Sequence, residues 1–154
     1  MELELHIDGD VAVFRVSGHL GGDADFSPIL TQPRDTLVLD LERVGRISSM
    51  GIREWILFVN SLAAPKRLYL DRCPISFVKQ VNMIHNLLGP AEMRSLYLPY
   101  YCESCDDWSQ RLDQVEDLRA RGLPPAPRCE TCGGALEFDA LEDWFLGFLK
   151  PQRK

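Results

Sequence analysis

The stretch Thr36–Leu62, TLVLDLERVGRISSMGIREWILFVNSL, changes its repeat halfway along. Its first part, Thr36 to Leu41, is almost continuously apolar, as suits a central strand covered on both faces. From Met50 the residues Ile52, Trp55, Ile56, Val59 and Leu62 follow the i, i+3, i+4, i+7 spacing of one helical face, and Pro65 lies beyond its end. Ser48, Ser49 and Gly51 stand between the two patterns. Serine is a favoured N-cap, worth about 1 kcal/mol to a helix, so either serine can start this one.

The alternation continues on both sides. Upstream, Leu3–Ile7 and Val11–Val16 flank the turn tripeptide Asp8-Gly9-Asp10 and read as a β-hairpin. The Gly-, Asp- and Pro-rich stretch after them leaves room for a short helix around Phe26 to Leu30. Downstream, Arg67–Asp71 reads as a strand and Pro74–Leu88 as a helix with Phe77, Val81, Ile84 and Leu88 buried. Gly89-Pro90 stops that helix, and RSLYLPYY supplies a last short strand. The order β-β-(α)-β-α-β-α-β predicts an α/β fold, a mixed sheet with helices packed on it, over residues 1–99.

Residues 100–154 are of a different kind. Cys102-x-x-Cys105 and Cys129-x-x-Cys132 are separated by the residues from 106 through 128. Two residues between cysteines let both thiolates bind one ion, and two such pairs complete a closed tetrahedral site for one structural zinc. That gap is longer than the usual spacing, and a helix over Leu112–Leu118 would take up the excess. Gly133-Gly134 suits a tight turn after the second pair. Asp139 is placed to cap a final helix bearing Leu141, Trp144, Phe145, Phe148 and Leu149. The segment resembles a zinc ribbon, and thiol redox chemistry is the other use of such pairs. Cys73 reads as a small buried hydrophobe. His6, His19 and His85 are scattered, and His85 would serve as a ligand only in place of a failed cysteine. Trp144, Phe145 and Phe148 suit a core or interface; any part left exposed would mark a protein contact or a homodimer face.

On LVLDLERVGRISSMGIREWILFVNSL, the preceding VAVFRVSGHL and the order of elements, residues 1–99 resemble a STAS domain, the fold of bacterial anti-sigma-factor antagonists. Members usually carry Asp-Ser-x-Gly between the central strand and its helix, and a serine kinase that is also an anti-sigma factor phosphorylates that serine. The resemblance places Ser49 on the phosphoacceptor and makes Ser48, Ser49, Met50 and Gly51 a partner-binding loop. Ser48 stands where the family has aspartate. What the resemblance implies is partner switching: the unmodified domain binds, and phosphate on Ser49 releases the partner through desolvation and charge repulsion.

Composition bounds the alternatives. The chain of 154 residues has a net charge of -6; residues 1–99 carry 10 basic and 12 acidic side chains and residues 100–154 carry 7 and 11, so neither part offers the basic face nucleic acid needs. No segment is long and apolar enough to span a bilayer, and the acidic start MELELHIDGD lacks the order of a secretion signal, which points to the cytoplasm. There is no Ser/His/Asp set, phosphate-binding glycine motif or open metal site. The expectation is a non-enzymatic regulatory module that binds a protein partner, the rival being a constitutive zinc-stabilised scaffold without a phospho-switch.

Overall fold

The computed structural model describes residues 1–150. The fold is mixed α/β, a mixed sheet with helices packed on it and a cluster of four cysteines near the C-terminus. Strands β1 (Glu2–Asp8) and β2 (Val11–Leu20) form the expected antiparallel hairpin. Parallel pairing then adds β3 (Thr36–Ile47), β4 (Arg67–Asp71) and the two-residue β5 (Glu92–Met93), in the spatial order β1-β2-β3-β4-β5. Helices α1 (Ser27–Leu30), α2 (Ser49–Asn60) and α3 (Ile75–Met83) make the three crossovers.

Strict alternation sends Ala12, Phe14, Val16, Leu37, Leu39, Leu41, Leu68 and Leu70 to the face that meets the helices. An aromatic group fills the space between sheet and helices. Phe26 stacks on Phe58 at 4.5 Å, while Trp55 meets Phe26, Phe58 and Phe77 edge-on at 5.7, 5.5 and 5.2 Å. The buried indole N–H of Trp55 donates to the Leu87 carbonyl at 2.9 Å. On the opposite face the cover over β3 is not a second layer of helices. Asp40 is buried there beneath the Arg72 guanidinium, which donates from Nε at 3.2 Å and from Nη2, and the Glu42 amide donates to the same carboxylate at 3.1 Å. Arg72 also pairs with Glu42 at 2.6 Å, and Tyr97 donates its hydroxyl to Glu42 at 2.6 Å.

Beyond β5 the chain bends at Arg94 into β6 (Ser95–Cys102), which crosses residue 99 and enters a second sheet, β7-β6-β8, with β7 at Asp107–Gln114 and β8 at Glu137–Phe138. Backbone bonds still tie β6 to the end of β4: Cys73 N–H to the Ser95 carbonyl at 3.1 Å and Tyr97 N–H to the Cys73 carbonyl at 3.0 Å. One hydrophobic core runs through both sheets, from Ala12 to Leu146.

Four local expectations change. The helix placed over Leu112–Leu118 is instead the end of β7 followed by α4 (Val115–Arg121), because the turn at Cys102–Asp107 folds residues 107–114 back onto β6. There the ladder outweighs a weak three-residue periodicity. The helix from Pro74 stops at Met83, not Leu88: Ile84 is extended, and Leu87 rather than Leu88 is the fully buried residue that receives the Trp55 N–H. Strand β3 runs past Leu41 to Ile47, paired with a shorter extension of β2 from Val16 to Leu20 through two register irregularities. Asp139 caps nothing, since its N–H bonds to the Pro99 carbonyl and the final helix α5 (Glu142–Phe145) begins after Leu141.

Asn82 of α3 holds that last helix. Its side-chain amide donates to the Phe145 carbonyl at 2.7 Å, and its Oδ1 accepts from the Phe148 N–H at 3.0 Å. Phe145 is fully buried beside Phe138, whereas Trp144 stays 43% exposed.

Trp55 supplies a direct test of this core. Trp55→Ala should lower the unfolding free energy by about 3–5 kcal/mol. Trp55→Phe, which keeps most of the ring but leaves the Leu87 carbonyl unpaired, should cost about 1–3 kcal/mol by urea denaturation.

Candidate functional site

Two regions carry the residues singled out in the sequence: the four-cysteine cluster and the loop between β3 and α2.

The first cysteine pair closes the β6–β7 turn, with Cys102 paired to Asp107 at its base. The second is a backbone loop tied by Cys129 N–H to the Gly134 carbonyl at 2.8 Å and Gly133 N–H to the Cys129 carbonyl at 2.9 Å. The two loops meet, and all four sulfurs lie within 4.8 Å of one another. Cys102 and Cys132 are 3.5 Å apart and Cys105 and Cys129 3.9 Å apart. A tetrahedral site with metal–sulfur bonds of about 2.3 Å has sulfur–sulfur edges of roughly 3.8 Å, so these spacings fit one ion bound by four thiolates. Both are far beyond a disulfide bond of about 2.05 Å.

The backbone prepares Cys129 for that role. The Cys132 and Thr131 amides donate to Cys129 and hold its thiol down to about 6, while shared hydrogen bonds with Cys132 and Cys102 push Cys105 up to about 12. Gly134 N–H points to Cys132 Sγ at 3.4 Å. Each loop also places the residue after its second cysteine in the left-handed region, Asp106 at φ 50° and Gly133 at φ 73°. Asp106 bears a Cβ and is held by the Tyr101 hydroxyl, which donates to Oδ1 at 2.5 Å and is thereby pushed up to about 12. The equivalence of 106 with 133 was the available signal for this residue, and the Cys-x-x-Cys pattern alone does not reveal it. Arg128, which donates to the Gly133 carbonyl at 3.1 Å, was likewise unmarked.

The remaining candidate ligands stay apart. Cys73 is fully buried, and burial raises its thiol well above the ordinary range, as expected of a hydrophobe. His85 is exposed on the segment after α3 and is not among the clustered groups.

In the β3–α2 loop the two serines have separate surroundings. Ser48 is the N-cap: its Oγ accepts from the Gly51 N–H at 3.1 Å, and its own N–H donates to the Leu20 carbonyl at 3.0 Å. Ser49 is the first helical residue and is exposed, as is Met50, at 50%. Beside them lies a cavity of about 220 Å³ lined by Ile47, Ser48, Ser49, Ile52, Gln80 and Ile84. Gly51 has another task than the expected approach to a partner. It is buried, and a Cβ there would stand 2.0 Å from the Leu20 carbonyl oxygen. The extension of β2 to Leu20, which apolar patterning did not show, is therefore what fixes the loop.

No family model matches the chain, and no curated protein is similar to it. Among the described residues no helix is long and apolar enough to cross a membrane.

Two measurements check these placements. Gly51→Ala should destabilise the fold by about 3 kcal/mol or more, because backbone must move, against about 1 kcal/mol for Ser48→Ala. For the cluster, metal analysis of the purified chain should find one ion per molecule, and a strong chelator or Cys129→Ser should remove it and lower the melting temperature.

Proposed function

We propose that the chain is a non-enzymatic regulatory module that docks a protein partner through the exposed Ser49 and Met50 of the loop that Ser48 and Gly51 hold in place, with Ser49 as the switch. The reading rests on one observation, the division of labour between the serines. Ser48 is used up in capping α2, which leaves Ser49 exposed on the first turn of a twelve-residue helix. A phosphate at that position meets free backbone N–H groups and the positive end of the helix dipole. It also adds about -1.5 to -2 charges next to the exposed Met50 side chain and the cavity beside Ile52, the apolar features a partner would cover. The resemblance of residues 1–99 to STAS domains supports the same reading and suggests a serine kinase of the anti-sigma-factor type as the partner.

The ion of the cysteine cluster is, on this proposal, zinc. Four thiolates leave no position open for water or substrate, so its role is structural. Tying two loops that together hold few apolar side chains, it supplies folding energy to a segment with little core of its own. A scaffold without a switch is the second reading, and it draws on the core that runs unbroken from the first sheet into the cysteine-bearing one.

Ser49→Asp separates the two. A partner captured from the source cell with the unmodified chain should lose affinity for Ser49→Asp by tenfold or more, about 1.4 kcal/mol, and keep it for Ser49→Ala. Equal binding to all three chains would sink the switch and leave the scaffold.

A further inference from the structure

Strand β1 is the open edge of the five-stranded sheet. It runs for seven residues, ELELHID, without proline, bulge or lysine, the usual devices that keep an edge strand from pairing. Its apolar residues Leu3, Leu5 and Ile7 lie on the same face as Val16, Phe14 and Ala12 across the ladder, the face that β2 and β3 bury under helices. At the edge that cover is missing: Leu5 is 48% exposed and Ile7 38%.

The direction of the free backbone groups follows from the hairpin. Gly9, at φ 59°, and Asp10 make a two-residue loop, whose flanking residues Asp8 and Val11 form the hydrogen-bonded pair that closes the turn. Hydrogen-bonded and non-bonded pairs alternate along an antiparallel ladder. Glu2, Glu4, His6 and Asp8 thus direct their N–H and C=O groups to β2, and Leu3, Leu5 and Ile7 direct theirs outward. The three apolar residues of the strand, exposed Leu5 and Ile7 and half-buried Leu3, are the three with free backbone groups.

We propose that this edge docks a second copy of the same chain, β1 pairing antiparallel with β1 about a two-fold axis at Leu5, so that the two sheets become one. The sequence is complementary to itself in that register. Leu5 meets Leu5 of the partner subunit, and Leu3 meets Ile7 of the partner subunit, so each outward backbone group finds an outward group. On the other face Glu4 meets His6 of the partner subunit. A shift of one residue would set outward groups against inward ones. A shift of two in one direction puts Glu4 against Glu4 of the partner subunit, and in the other against Asp8 of the partner subunit. Like charges directly opposite each other disfavour both. In the favoured register the one like-charged pairing, Glu2 with Asp8 of the partner subunit, falls at the strand ends. A closed isologous contact of this kind ends at two copies, because it uses up the edge it is made from.

Light scattering on the full metal-loaded chain should give twice the 17.5 kDa chain mass, with dissociation on dilution. Leu5→Lys, which sets two lysines opposite each other, should return the mass to that of one chain with an unchanged circular dichroism spectrum. Leu112→Lys, at an exposed leucine of the other sheet's edge, should leave the dimer intact. Leu5→Cys then reads the register. Directly paired Cα atoms about 5.5 Å apart are within disulfide reach, so mild oxidation should give a reducible dimer band absent from the parent chain. A single-chain mass at concentrations up to about 1 mM would overturn the proposal. So would a dimer indifferent to Leu5→Lys, or cross-linking through His6→Cys in place of Leu5→Cys.

Discussion

The structure depends on one continuous run of chain, β5 and β6, that serves two sheets. Residues 92–102 begin as the last parallel strand beside β4, bend at Arg94, and become the middle strand of the cysteine-bearing sheet. Three backbone bonds make the junction: Arg94 N–H to the Leu70 carbonyl, Cys73 N–H to Ser95, and Tyr97 N–H to Cys73. Cys73 sits at this crossing with no exposed surface, bridged to Leu96 of β6. Asn82 of α3 secures the final helix, while the cysteine loops are held in place through β6. The first cysteine loop is its terminal turn, and the second is carried to it by the β8 segment that pairs with Tyr100 and Tyr101.

The same economy governs the β3–α2 loop. A single carbonyl, that of Leu20, receives the Ser48 N–H and excludes any side chain at position 51. The loop is therefore a rigid presentation of Ser49 and Met50. Rigidity matters for docking because a surface that is already ordered loses little conformational freedom on binding. The cysteine cluster achieves a like stiffness by other means, with backbone amides aimed at its sulfurs and a left-handed residue closing each loop.

Much of this is legible in the residues, and the exceptions have physical causes. The hairpin and the two longer crossover helices appear as changes of apolar period, because each element buries one face and the period records which. The pairing of the cysteines appears as spacing, since a chain can bring two thiolates to one ion only at short separations. Strand β7 is hidden because its residues DWSQRLDQ are mostly polar, and what makes them a strand is their return from the Cys102–Cys105 turn, a long-range cause. The shortening of α3 is hidden for a related reason: Asn86 takes a left-handed turn so that the Leu87 carbonyl can face the Trp55 indole, thirty-two residues away in sequence. The apolar run of β3 called for cover on both faces, but it did not show that the cover over Asp40 is an arginine from the next strand's end. A buried carboxylate in an apolar run was the sign of it.

The grip of Asn82 on the final turn has a consequence in time. Its two bonds span 63 and 66 residues of chain, and the Phe145 ring they secure is wholly enclosed. During synthesis the parallel sheet and its first helices leave the ribosome well before these partners exist. Contacts across so long a separation close late and slowly, after the loop-closure entropy has been met. Until residue 148 has been made, the outer side of α3 stays bare, and the nascent chain carries an apolar patch that the finished molecule conceals.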